Sequence, residues 1–131
     1  MLSVTPPEKV TARRGDTLEV KTVAVIKPGY HVNSNTPSEA YLIPLKLTWE
    51  PGPLEAVGVL FPKAQMEKYA FSETRLSVFT GDFELVTKFK AAAGASNGPG
   101  LMVGKLRYQA CNNNSCLPPK VIEIKLPIVI R

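Results

Sequence analysis

The stretch Met102-Val103-Gly104-Lys105-Leu106-Arg107-Tyr108-Gln109-Ala110 decides the fold, read with Lys120-Val121-Ile122-Glu123-Ile124-Lys125-Leu126-Pro127-Ile128. In the first segment Met102, Gly104, Leu106, Tyr108 and Ala110 share one side, while Lys105 and Arg107 take the other. In the second, Ile122, Ile124, Leu126 and Ile128 oppose Glu123 and Lys125. Side chains alternate across a strand, so a period of two gives each segment one face to bury and one to wet. The pair flanks Cys111-Asn112-Asn113-Asn114-Ser115-Cys116-Leu117-Pro118-Pro119 and reads as a hairpin whose tip holds both cysteines.

Working towards the N-terminus, the same signals recur. Phe83, Leu85, Thr87 and Phe89 share a face of a strand over residues 83–90, with a turn before it at Gly81-Asp82 and another strand at 76–80. Residues 18–26 form a run of Val, Thr, Ala and Ile between Arg14-Gly15-Asp16 and Pro28-Gly29. Further strands are expected over 41–49, with Pro44 at an edge or bulge, and over 54–61 after Pro51-Gly52-Pro53. Residues 91–100 read as a flexible connection. From Pro62 to Glu73 the pattern is lost, and Tyr69 and Phe71 lie there without a clear face to bury, which makes the segment a candidate flap.

Twelve prolines and nine glycines, scattered through 131 residues, interrupt the chain too often for long helices, while β-branched and aromatic residues fill the gaps. About eight short strands with regular turn signals predict an all-β fold, an immunoglobulin-like antiparallel β-sandwich. The length suits a single domain over residues 1–131. The two cysteines are too close in sequence for the inter-sheet bridge of an antibody domain, so any disulfide here has another task.

Composition narrows the function classes. A chain that is 44% hydrophobic and 21% charged is an ordinary globule, and no stretch approaches the roughly 18 to 20 apolar residues of a membrane helix. The net charge of +5 biases encounters towards acidic partners. The basic residues are dispersed, without a stripe interleaved with stacking aromatics, which argues against nucleic acid as a partner. The beginning, Met1-Leu2-Ser3-Val4-Thr5, lacks the features of a signal peptide and suits either a cytosolic chain or one cut and restarted for expression.

The chemistry rests on Cys111 and Cys116. Paired flanking strands would bring their Cα atoms near the separation a disulfide needs. Closing so short a ring constrains the unfolded chain by only about 2 kcal/mol, a weak staple. The spacing leaves three readings open: a structural hairpin disulfide, two free thiols, or an exchangeable pair that another protein's thiolate approaches at the tip. Asn112 to Ser115 carry no cation that would lower a thiol pKa strongly. Zinc is set aside, because two cysteines and His31 are at most three soft ligands where a structural site wants four.

The hairpin, with Tyr108-Gln109-Ala110-Cys111 leading in and Cys116-Leu117-Pro118-Pro119 leading out, resembles the active-site hairpin of the DsbD amino-terminal domain family. Ile26-Lys27-Pro28-Gly29-Tyr30-His31 and Phe61-Pro62-Lys63 are similar to further segments of that family, so the resemblance spans most of the chain. It implies periplasmic thiol:disulfide interchange by an immunoglobulin-like domain excised from a larger membrane protein. Electrons would pass from a thioredoxin-like domain of the same transmembrane reductase to oxidised periplasmic thioredoxin-fold proteins. The redox-active disulfide would serve without any cofactor, and the membrane would be reached only through other parts of the full-length protein.

The resemblance further implies that Cys116 forms the mixed disulfide with partners and that Cys111 resolves it. It implies a cap loop with an aromatic over the disulfide, for which Phe71 is the first candidate and Tyr69 the second; the plain alternative is that Phe71 is simply buried. The acidic residues expected before the cap aromatic are here Lys68 and Tyr69. His31 and Asn33 fall where the family has aromatics lining the site, and a histidine there can carry a proton for a thiolate. The bland reading is a histidine at a strand start. Tyr30 and Tyr108 are further candidates to line the site, or else core and rim residues. A reading of a different class is a β-sandwich interaction or scaffold module whose hairpin disulfide is structural.

Overall fold

A computed structural model describes residues 2–131. It contains twelve strands: β1 (Leu2–Thr5), β2 (Val10–Ala12), β3 (Thr17–Ile26), β4 (His31–Asn33), β5 (Lys46–Trp49), β6 (Leu54–Leu60), β7 (Gln65–Glu67), β8 (Leu76–Phe79), β9 (Asp82–Ala91), β10 (Gly98–Tyr108), β11 (Ala110–Cys111) and β12 (Lys120–Ile130). They form three four-stranded sheets, ordered β1-β3-β9-β6, β2-β12-β10-β5 and β11-β4-β8-β7. All pairings are antiparallel except β2 with β12. The architecture is an immunoglobulin-like sandwich.

The expected hairpin forms in the register its alternation requires, with Met102 opposite Leu126, Leu106 opposite Ile122 and Tyr108 opposite Lys120. A slip of one residue would turn Leu106 and Ile124, both buried, out to water. On the facing sheet Phe83, Leu85, Thr87 and Phe89 all point inwards from β9. The first two sheets therefore close on a core that includes Leu85, Phe89, Met102, Leu106, Leu126 and Ile128. Trp49 packs against both halves of that core, its ring set edge-on to Phe89 at 5.1 Å and its Nε1 donating to Thr87 Oγ1 at 3.1 Å. Gly104 opposite it is required by this packing: a Cβ there would stand 2.9 Å from the ring.

The sequence reading and the structure differ in four places. The strand expected over 41–49 begins only at Lys46, because Leu42 and Leu45 are buried from a loop that folds over the third sheet. The connection at 91–100 is shorter, since Gly98 to Gly100 already pair with β12. The patternless segment contains β7, three exposed residues held by backbone pairing to β8. The count rises from about eight to twelve because the additional strands are two to four residues long, too short to show a period.

The third sheet caps one end of the sandwich. Its inner face gives Val32, Phe79 and Ala110 to the main core. Its outer face carries Leu76 and Val78, which with Leu42 make a separate small cluster covered by Tyr69 and Phe71. The chain passes from β10 into β11 at Gln109, so one excursion leaves the second sheet and enters the third just before the first cysteine.

Candidate active site

Cys111 and Cys116 are joined in a disulfide with Cα atoms 3.9 Å apart. They stand opposite each other across a tight hairpin, whose rungs on either side are Leu117 N–H to Ala110 O at 2.8 Å and Asn112 N–H to Ser115 O at 2.9 Å. The tip is built locally. Asn112 Oδ1 accepts from the backbone N–H groups of Asn114 and Ser115, both at 2.8 Å, an arrangement that short amide side chains favour in turns. The two cysteines differ in burial: Cys111 is fully buried at 0% exposure, whereas Cys116 is half-buried.

On its other side Cys111 pairs with His31 of β4. Residues directly opposite in antiparallel strands project from the same face, with Cβ atoms about 4.5–5.5 Å apart. His31, Cys111 and Cys116 therefore form a row across three adjacent segments on the outer face of the third sheet. Asn33, two residues on, shares that face. Its Nδ2 donates to Ile43 O and to Gln109 Oε1, both at 3.0 Å, and Gln109 Oε1 also accepts from Ile43 N–H at 3.1 Å. Asn33 and Gln109 thus clamp the loop after β4 to the crossing that leads into Cys111.

The segment after β7 closes over the His31 end of this row. The Tyr69 ring lies on the His31 imidazole, centroids 3.8 Å apart and planes within 12°. Phe71 is 6.3 Å from the imidazole and 5.9 Å from Tyr69, half-buried against the Leu42, Leu76 and Val78 cluster. Of the two cap candidates, Tyr69 is the one stacked on the row and Phe71 is anchored in the small cluster. Ala70 N–H reaches Asn113 Oδ1 of the hairpin at 3.3 Å, and the Lys68 ammonium donates to the carbonyls of Tyr69 and Ser72. Lys68 therefore tightens the loop by its own backbone. A lysine before two aromatics carries no sequence signal for that role.

His31 is 2% exposed, and burial lowers its pKa from 6.5 to about 4, so the ring is neutral at physiological pH. Its Nε2 and the Asn33 Oδ1 are buried without a hydrogen-bond partner. Burial raises the Tyr69 phenol above its ordinary value, with the Glu67 carboxylate adding in the same direction. Tyr30 is half-buried and lines, with His31, Tyr69, Lys27, Asp82 and Asn113, an apolar groove of about 690 Å³ beside the row. Tyr108 points the other way, into the main core, because it shares the inward side of β10 with Leu106.

The family model of the thiol:disulfide interchange protein DsbD, N-terminal, matches residues 2–127. The chain belongs to this family. Among solved structures, the DsbD N-terminal domain of Neisseria meningitidis in its reduced form is similar at 23% identity and a TM-score of 0.52, over 92% of this chain and 82% of that one. The seventh ScaB type I cohesin of Pseudobacteroides cellulosolvens is similar at 17% identity and a TM-score of 0.51, over 99% and 92%. A type I cohesin–dockerin complex of Clostridium thermocellum is similar at 12% identity and 0.51, over 99% of both chains. At these identities the structural likenesses speak for the sandwich alone. No curated protein sequence matches this chain. Family membership together with the Cys111–Cys116 disulfide supports thiol:disulfide exchange as the chemistry of this DsbD N-terminal domain.

Proposed function

We propose that this chain is a periplasmic redox module that passes electrons through Cys111 and Cys116, from a thioredoxin-like domain of its own transmembrane reductase to oxidised thioredoxin-fold proteins. The observation that carries the reading is the unequal burial of the two cysteines, with Cys116 half-buried at a hairpin tip and Cys111 fully buried behind it. Disulfide exchange needs in-line approach of a thiolate to one sulfur, and Cys116 is the residue of the pair that keeps exposed surface, which favours attack there. In the reductive step the donor thiolate attacks Cys116 Sγ, the Cys111–Cys116 bond breaks and Cys111 leaves with the electron pair; the donor's second thiolate then attacks the donor sulfur bonded to Cys116, so that Cys116 leaves as a thiolate and the donor leaves as a disulfide. In the delivering step the Cys116 thiolate attacks the partner's disulfide, then Cys111 attacks Cys116 Sγ and the partner leaves reduced. The pair itself carries both electrons, so no cofactor enters.

The roles are separable by single substitutions. Cys111→Ser, which leaves the accessible Cys116, is expected to trap a stable mixed disulfide with an oxidised thioredoxin-fold protein, visible on a non-reducing gel. Cys116→Ser is expected to trap little, because Cys111 lies behind it. Equal trapping by both variants would overturn the assignment of roles, and turnover by the doubly substituted protein would overturn exchange through this pair.

A further inference from the structure

The outer face of the third sheet leaves a specific problem unsolved. When the disulfide is reduced, Cys111 becomes a thiol in a position with no access to water, and a buried donor wants an acceptor. Two buried polar atoms without partners lie on the same face, His31 Nε2 and Asn33 Oδ1. They are not equivalent. His31 is the direct cross-strand neighbour of Cys111, whereas Asn33 pairs with Val78 on the far side of β4 and is held by its two amide bonds.

Resting on the exchange reading above, we propose that His31 is the acid–base partner of Cys111. Its Nε2 accepts the Cys111 thiol proton as the Cys111 sulfur attacks Cys116 Sγ. The bond between Cys116 and the partner sulfur breaks as the Cys111–Cys116 bond forms. The partner thiolate leaves with the electron pair, and the imidazolium then gives its proton to solvent or to that thiolate. In reverse, the imidazolium protonates Cys111 as it departs from the disulfide. Burial keeps the ring unprotonated at neutral pH, and in the Nδ1–H tautomer, which this role requires, the lone pair stands on Nε2.

The charged and titratable groups around the imidazole leave this role to it. Tyr69 lies on the ring with its phenol neutral, and Lys68 is engaged by two loop carbonyls. Glu67 lies just before them on β7, and Lys27, Tyr30 and Asp82 line the groove on the other side. None of these makes an ion pair with His31 among the described residues. Tyr69 covers the ring, so displacing it would let water reach the imidazole and carry the proton away.

The test uses the reduced protein and 5,5′-dithiobis(2-nitrobenzoate). Attack by Cys116 releases a first thionitrobenzoate, and resolution by Cys111 releases a second, so the two steps are seen as separate phases by absorbance. His31→Phe, which keeps a ring for Tyr69 to stack on, is expected to leave the first phase unchanged and slow the second at least tenfold at pH 7. Its second phase should recover as the pH rises towards the thiol's own ionisation, a profile that a merely structural role would not produce. His31→Ala should be rescued in the second phase by free imidazole. A second phase that is unchanged, or slowed equally at every pH, would overturn the proposal. So would nitrogen NMR of the single histidine showing no change at Nε2 when the wild-type disulfide is reduced, a readout independent of how well the variants fold. Loss of the first phase in the wild type would instead overturn exchange through Cys116, and this inference with it.

Discussion

The body of the sandwich and its capped end treat buried polar groups differently. In the body, Trp49 Nε1 and Thr87 Oγ1 satisfy each other across the core, and among the described residues only Thr22 Oγ1 is left over there. At the capped end, two unpartnered atoms, His31 Nε2 and Asn33 Oδ1, sit within three residues of each other beside the cysteine row. An unmet buried polar atom costs about 1–3 kcal/mol. The two such atoms at the capped end stand beside the residues whose bonding changes when the disulfide is reduced.

The largest effect expected is on the body. Phe89 is fully buried between the two main sheets and edge-on to Trp49. Phe89→Ala should lower the unfolding free energy by about 3–5 kcal/mol, read by urea titration. The reduction potential of the Cys111–Cys116 pair should not move, since the core acts on folding and the third sheet's outer face acts on the thiols. A shifted potential in a protein that remains folded would break the separation between the two regions.

The next effect belongs to the capped end and appears as pH dependence. The His31 pKa is about 4 in the folded chain against 6.5 ordinarily, so between these values the unfolded chain binds more protons. Stability from this group is fully present above pH 6.5 and is lost as pH falls towards 4, in total about 3 kcal/mol. The difference in unfolding free energy between wild type and His31→Phe, measured from pH 7 to pH 4, should follow that curve. A difference independent of pH would mean that the imidazole is hydrated in the folded state and that the end is less closed than its geometry indicates.

How much of this was legible in the sequence follows the same division. The body announced itself through β9, β10 and β12, where strands of ten or eleven residues each have one face to bury, and through the turns at Gly15, Gly29 and Gly81, all at positive φ. The cysteine hairpin was visible because its two flanking strands pair in register and its tip is built from neighbouring residues. The cover over it was legible only as a patternless flap holding Tyr69 and Phe71; what those rings pack on was not. Leu42, Leu76, Val78, Tyr69 and Phe71 come from three separate segments, and no periodicity links them. Strands as short as β4 and β11 leave no period to read, so the alignment of His31 with Cys111 emerges only from the register of the third sheet. Gln109 reads as one more outward residue of a strand, yet its side chain accepts two hydrogen bonds at the crossing between sheets.

The smallest effect in free energy should be the largest in reactivity. Tyr69 contributes a stacked pair with His31 and lies over the cluster of Leu42, Leu76 and Val78, while the backbone around it is tied separately by Lys68 and by Asn113. Removing the ring therefore forfeits the stack, worth about 1 kcal/mol beyond its buried area, without releasing the loop. Adding the apolar area that the half-buried ring covers, Tyr69→Ala should lower the unfolding free energy by about 2 kcal/mol, less than either change above. In the reduced protein, however, the His31 side of Cys111 would open, and alkylation of Cys111 by iodoacetamide, followed by mass, should speed up relative to that of Cys116. If only Cys116 responded, the cover over Cys111 would be the work of the Asn33–Gln109 clamp and the loop after β4, and the protection of the resolving thiol would belong to the sheet and not to the cap.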